Sequence, residues 1–297
     1  MYGDADVAHP TAAAVMDAAR LAVVLRRHSP NLILHAAAIT AVDPASETNY
    51  GATMVEVNVV GTLRVLELAR DAGVKRMLYI SSSGVYGFAP FEAPIAETAQ
   101  VPEEDIGLYA ISKITAERLC LRYAELMGVD VIVGRLNGPY GPMERDTGVR
   151  SVMSPIYQVG CAALTRDKVR VRTRASAFDW TYTLDLALAA RLLLEAKTLH
   201  HRVYNLSGGR SYTLADVIDA FGRVVNGVEF EWVDSDRSEP MDLDIGPGRR
   251  QLDVARLRSD VGFAPAYDLE CGLRASMPWW RAMLASEGRV LQTRELE

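Results

Sequence analysis

The sequence predicts an α/β protein, with a parallel sheet covered by helices on both faces and a smaller lobe after it. Three observations carry this. Short, almost continuously apolar runs (NLILHAAA at 31–38, RMLYISS at 76–82, VDVIVGRL at 129–136) alternate with longer stretches of helical periodicity. Such runs suit strands buried on both faces, the usual condition of a parallel sheet. After Gly141 the elements become shorter, which divides the chain into 1–141 and 142–297.

Taken in order, residues 9–27 carry Val15, Leu21, Val24 and Leu25 at helical spacing behind Pro10 and Thr11. The run 31–38 reads as a buried strand. Residues 47–72 form a long helix that ends at Gly73. The strand 76–82, a helix over 108–127 stopped by Gly128, and the strand 129–136 complete the first part. The second part reads as a helix over 151–164, a basic strand KVRVRTR over 168–174, a short stretch at 180–183 and a helix over 184–196. A strand at 203–206, a helix over 213–225 with Thr213 as N-cap, a polar loop over 234–250 and a last helix near 269–285 follow.

A chain of 297 residues is long enough for about two domains. With 49% hydrophobic and 24% charged residues, it is neither a disordered chain, a collagen nor a coiled coil. No apolar run reaches the ~18 residues of a membrane span; the best, 184–194, is broken by Asp185 and Arg191. No secretion leader opens the chain. A net charge of −6 argues against nucleic acid as the partner. Cys120, Cys161 and Cys271 are odd in number and far apart, which excludes a CxxC zinc site and a disulfide framework and makes the cytoplasm the expected compartment. His200-His201 has no third ligand at metal spacing, so no metal is expected, and Trp279-Trp280 reads as core.

Three clusters carry chemistry, each at a strand end, where ligands of open parallel sheets sit. Tyr109 and Lys113 are four residues apart, on one helix face. A phenol with a pKa near ~10 is a poor base at neutral pH, and a neighbouring ammonium favours its phenolate. The pair is a workable acid/base for a sugar hydroxyl, although any surface pair can share that spacing. Next, Ser81-Ser82-Ser83-Gly84-Val85-Tyr86-Gly87 follows the second strand. Its hydroxyls are placed to donate to a substrate oxygen, or simply to form a polar turn. Finally, His35-Ala-Ala-Ala38 offers small side chains that a flat cofactor can approach, with Asn58-Val-Val-Gly61-Thr62 in the next helix. A mid-helix Asn is unfavourable, so Asn58 holds a neighbouring backbone or bends the helix. His35 also fits a hydrogen-bonded core histidine.

Together these residues resemble the extended short-chain dehydrogenases/reductases, the sugar-nucleotide epimerase/dehydratase family. The similarity runs from Gly3-Asp4 to about Arg281 and includes YAISK, SSSGVYG, NxxGT, RLNGPYGP (135–142) and RRQLDVARLRSDVGFAP (249–265). The resemblance implies a Rossmann-type parallel sheet with a C-terminal α/β substrate lobe, NAD or NADP as cofactor, a sugar or sugar-nucleotide substrate, and a homodimer. It makes Tyr109 the base, Lys113 the residue that binds the nicotinamide ribose, and Ser82 the hydrogen-bond donor to the reacting hydroxyl. Asp4 and Ala5 would meet the adenine. Ala36, Ala37, Ala38, Ile39 and Thr40 would line the cofactor, Asn58 would support them, and Asn137 would approach the nicotinamide. Ser83 and Gly138 would face the substrate. Family dehydratases usually carry Asp-Glu where this chain has Ser83-Gly84, which favours epimerisation; a net dehydrogenase or an inactive binding module are the alternatives.

Three departures stand out. The resemblance begins at Gly3-Asp4, so roughly 50 to 60 family residues with the GxxGxxG pyrophosphate turn have no counterpart. The expected sheet is therefore truncated at its N-terminal side, with 31–38 as an open edge. A start assigned too late, a degraded gene or a reduced form each account for this. Gly138 stands where the family has Asn, and Phe178 where it often has Arg. Arg172, Arg174, Arg249 or Arg250 would then meet a diphosphate, or remain solvated.

Overall fold

The computed structural model describes residues 15–40, 43–87, 94–102, 104, 106–145, 153–172, 177–233 and 251–292. Its centre is a parallel four-stranded sheet of β1 (Leu32–His35), β2 (Arg76–Ser82), β3 (Asp130–Leu136) and β8 (Val203–Leu206), in that spatial order. Three helices follow one another on one side: α1 (Ala18–His28), α3 (Thr62–Asp71) and α4 (Leu108–Met127). Alternation along β2 decides what each face holds. Met77 and Tyr79 pack with Val65, Leu66, Ala116 and Cys120, while Leu78 packs with Leu186, Leu193, Leu206 and Leu257 from α6 (Thr183–Glu195), β8 and α8 (Ala255–Val261), and with Phe263 just beyond α8.

The long helix expected over 47–72 is continuous but not uniform. α2 (Pro44–Val55) runs into a π-helical turn at Glu56–Gly61 and then into α3. That turn holds Asn58, and its side chain gives the reason: it leaves the helix to bond the Ile39 backbone. The strand expected over 31–38 covers only Leu32–His35, and His35 alone is buried in it. The alanines lie beyond its carboxyl end.

The second lobe packs α5 (Pro155–Thr165), α7 (Leu214–Val224) and α9 (Leu269–Ser286) around Trp280, Phe221 and Tyr140. Thr213 caps α7 as expected, in a reciprocal capping box with Asp216. Elements not read from the sequence include β10 (Glu229–Trp232), which pairs parallel with β5 (Lys168–Val171), and α8. Both are short, and the polar flank of β10 hides its half-buried face. Past Gly141 the chain also returns to the central sheet, to which it contributes α6, β8 and α8.

Candidate active site

The residues singled out in the sequence meet the sheet at its carboxyl ends. Ala36 to Thr40 follow β1, Ser82 ends β2, and Asn137-Gly138 follow β3. Tyr109 lies in the first turn of α4, which leads away from that same end. Gly107 caps α4 without a side chain, and Glu47 Oε1 substitutes by accepting the Leu108 N–H at 2.8 Å. A Cβ at Gly107 would run into that carboxylate.

Tyr109 is half-buried and packs on Ile39, Met54 and Val57. Lys113, one turn on, is 2% exposed. Its ammonium donates to the Ile80 carbonyl at 2.6 Å and lies 4.3 Å from the Tyr79 ring centroid. Burial pushes its pKa down to about 7, against the opposing pull of Cys120 and Glu117. Burial thus weakens the hold of Lys113 on its proton, while the Ile80 carbonyl and the Tyr79 ring face its ammonium. Ser82 Oγ accepts the Gly84 N–H at 3.0 Å and so caps the tight turn Ser83–Tyr86. Its own hydrogen meets no acceptor among the described residues. Ser83 is buried in the turn.

Asn58 joins the wall after β1 to α4. Its Oδ1 accepts the Ile39 N–H at 2.8 Å, while Nδ2 donates to the Ile39 carbonyl and to Ser112 Oγ, each at 3.0 Å. Ser112 in turn donates to the Tyr109 carbonyl at 2.7 Å. His35 is the core histidine allowed above: Thr62 gives its hydroxyl hydrogen to the Asn58 carbonyl, so His35 Nε2 donates to Thr62 Oγ1 at 2.9 Å. Burial, and then the nearby Lys113, hold its pKa down at about 4.

Asn137 is 1% exposed; Nδ2 reaches the Asp179 carbonyl at 3.4 Å, but Oδ1 meets no donor among the described residues. Gly138 has φ +44°, and a side chain there would strike the Asp179 carbonyl and the Phe178 ring. This gives a physical reason for its departure from the family asparagine. Buried Asp179 ties the lobe to the sheet by accepting from Ser207 Oγ at 2.5 Å and the Leu252 N–H at 3.0 Å, although burial still raises its pKa to about 6. Asp4, Ala5, Arg174, Arg249 and Arg250 lie outside the described residues. Arg172 follows β5 in the second lobe.

Sequence reasoning missed Glu117 and Arg135, a buried ion pair behind the site. Glu117 lies eight residues after Tyr109 on the inward face of α4, a placement that the sequence alone does not distinguish from an ordinary exposed carboxylate. Among the described residues no three metal-ligating side chains cluster, and no helix is long and apolar enough to cross a membrane.

A helix bearing Tyr109 and Lys113 after a serine turn, on a parallel sheet, is the arrangement of the extended short-chain dehydrogenases/reductases. Within them the chain belongs to the NAD dependent epimerase/dehydratase family, whose model matches residues 3–207. It is 26% identical over 263 residues to a UDP-glucuronate 4-epimerase of Thermodesulfobacterium geofontis, covering 87% of this chain and 75% of that protein. It is 28% identical over 267 residues to a GDP-6-deoxy-D-mannose reductase of Pseudomonas aeruginosa (87% and 83%). A dTDP-glucose 4,6-dehydratase of Xanthomonas campestris is 26% identical over 282 residues (89% and 76%). Among solved structures, UDP-glucose 4-epimerase of Thermotoga maritima with UDP-glucose superposes with a TM-score of 0.74 at 23% identity, over 91% of this chain and 83% of that one. RMD of Pseudomonas aeruginosa with NADPH gives 0.73 at 24% (91% and 87%). At these identities the structural likeness speaks for the fold.

Proposed function

We propose that the chain is an NAD(P)-dependent, epimerase-type oxidoreductase of a sugar nucleotide, with Tyr109, Lys113 and Ser82 as its reacting groups. One observation carries the reading: the first turn of α4, the serine turn after β2 and the small-residue stretch after β1 share one end of the sheet. The residues there fit a nicotinamide. Ala36 and Ala37 are exposed and bulk-free, and the buried Asn137 Oδ1 has no donor among the described residues, one that a ligand N–H or O–H would supply.

When bound, the nicotinamide supplies the acceptor and later the donor of a hydride. In this reading Tyr109 takes the proton from the sugar hydroxyl and later returns it. A protonated Lys113 stabilises the phenolate and, by exchanging the Ile80 carbonyl for a ribose hydroxyl, holds the cofactor. Ser82, its lone pair fixed by Gly84, donates to the reacting oxygen as charge gathers there. By resemblance, Asp4 and Ala5 are assigned to the adenine; with Phe178 in place of the family arginine, Arg249 is assigned to the diphosphate as its substitute. Ser83 and Gly84 offer no carboxylate for elimination, so epimerisation is favoured over the dehydratase chemistry of one relative. Homodimerisation through α2 and α4 belongs to the same reading, since Tyr50, Val55 and Ile111 lie exposed on them.

The test is incubation with NAD or NADP and, in turn, UDP-glucuronate, UDP-glucose and dTDP-glucose. Sugar stereochemistry is followed by NMR and reduced nicotinamide by absorbance. Epimer interconversion without accumulation of reduced cofactor is expected. Tyr109→Phe lowers turnover by roughly 10²–10⁴-fold with an unchanged circular dichroism spectrum. Turnover retained in that variant sinks the mechanism. Net accumulation of reduced cofactor favours the dehydrogenase reading, and a calorimetric titration showing no cofactor binding favours a binding module.

A further inference from the structure

Behind the candidate site lies a buried ion pair that the proposed reaction does not use. The side chains of Glu117 and Arg135 are 7% and 8% exposed. Arg135 Nε lies 3.2 Å from both Glu117 oxygens, and Nη2 bonds Oε1. Ser81 Oγ donates to the other carboxylate oxygen at 3.0 Å. Arg135 Nη1 donates to Tyr86 OH at 2.9 Å and to the Glu97 carbonyl at 3.1 Å. Tyr86 passes its hydrogen to Asn205 Oδ1 at 2.7 Å, and the guanidinium lies over the Tyr86 ring.

Each member stands one step behind a residue to which chemistry is assigned. Ser81 precedes Ser82. Glu117 lies one turn beyond Lys113 and two beyond Tyr109 on α4. Tyr86 closes the turn that Ser82 opens. Arg135 is two residues before Asn137 on β3. One pair therefore ties β2, α4 and β3 together immediately below their working ends. Stability alone is a poor reason for it, because desolvation offsets much of the attraction in a buried ion pair and apolar isosteres often match it. Its return is geometric: a planar guanidinium that grips a carboxylate through two nitrogens fixes both distance and orientation.

We propose that Glu117 and Arg135 are positioning residues that hold Tyr109 and Lys113 of α4 against Ser82 at the end of β2. This rests on the reading that those three residues carry the reaction. The test compares Glu117→Gln, Arg135→Met and the double variant Glu117→Met/Arg135→Met with the wild type. It measures Tm, kcat and KM on whichever of the three sugar nucleotides named above the wild type converts. Both single variants lose thermal stability. The double variant regains it, yet kcat stays about 10–100-fold down in all three, with KM for the sugar nucleotide changed less than about threefold. Should the double variant fail to fold, Glu117→Asp serves instead. It keeps the charge, draws the carboxylate back by one methylene, and is expected to lower kcat without moving KM.

Recovery of kcat together with Tm in the double variant, full kcat in Glu117→Asp, or a loss carried by KM each overturns the proposal. Tyr109→Phe, run in parallel, separates the two levels. If it is inactive while the ion-pair variants keep wild-type kcat, only this inference falls. If it keeps its turnover, or if the wild type converts none of the three substrates, the functional reading falls and takes this inference with it.

Discussion

Leu34 and Leu78 are the same residue on neighbouring strands, paired in register, in opposite surroundings. Leu78 is fully buried, whereas Leu34 is 51% exposed. The contrast extends to their neighbourhoods. β2 and β3 are covered on both faces, while β1 is an edge of the sheet among the described residues, and α1, which precedes it in the chain, has no buried residue. The two halves of the candidate site divide along this line. The proposed acid–base half (Ser82, Tyr109, Lys113) is anchored in the dense region, and the proposed cofactor wall, Ala36 to Thr40, hangs on the sparse one. Rigid placement of reacting groups needs packed support, whereas a surface for a flat ligand needs only backbone and small side chains.

The largest expected effect tests this contrast directly. Leu78→Ala opens a cavity under α6 and should cost about 3–4 kcal/mol, whereas Leu34→Ala removes surface already half in water and should cost under about 1 kcal/mol. Urea denaturation of the two variants measures both. Equal losses would mean that the β1 face is covered in solution.

Next comes the link between the regions. Asn58→Ala strips both backbone groups of Ile39 of their partner and Ser112 Oγ of its donor. A buried, unpaired set of this kind should cost about 2–3 kcal/mol. Hydrogen exchange sharpens the result. The Ile39 amide should change from protected to fast, while amides in β3 keep the wild-type pattern. Uniform acceleration would instead mean that Asn58 supports the whole sheet.

These contrasts also mark what could be read from the sequence. NLIL and RMLY are equally apolar, so periodicity identified both strands but not their depth, which is set by helices contributed from residues 183–195 and 255–261. Tyr109, Lys113, Ser82 and Asn58 stood out as candidates because each forms a local pattern of its own: a phenol–amine pair on one face, three hydroxyls ending a strand, an amide in mid-helix. Asn58 does hold a neighbouring backbone, as its cost to the helix suggested. Glu117 and Arg135 break no local rule, since a charged residue on a helix or near a strand end is ordinary. Only the tertiary fold, which turns both inward, reveals them. The burial that depresses the Lys113 pKa is likewise not announced by its sequence context, although the residue itself was.

His35 sits where the sparse and dense regions join, and its titration offers the finest test. It is the buried last residue of β1, paired in register with Tyr79 of β2. Its imidazole is neutral, held by burial and then by Lys113 at a pKa of about 4, against the ordinary 6.5. Between those values the unfolded chain holds more protons than the folded one. Stability therefore rises with pH across the window and is lost as pH falls through it. Lowering the pH from about 7 to about 5 should cost the wild type about 2 kcal/mol through this residue alone. His35→Gln keeps a donor toward Thr62 Oγ1 but cannot titrate, so its stability should be flatter with pH by that amount. Urea melts at the two pH values give the difference. If the slopes are the same, water reaches His35 from the β1 side, and the sparse region extends one strand position further into the sheet than its burial indicates.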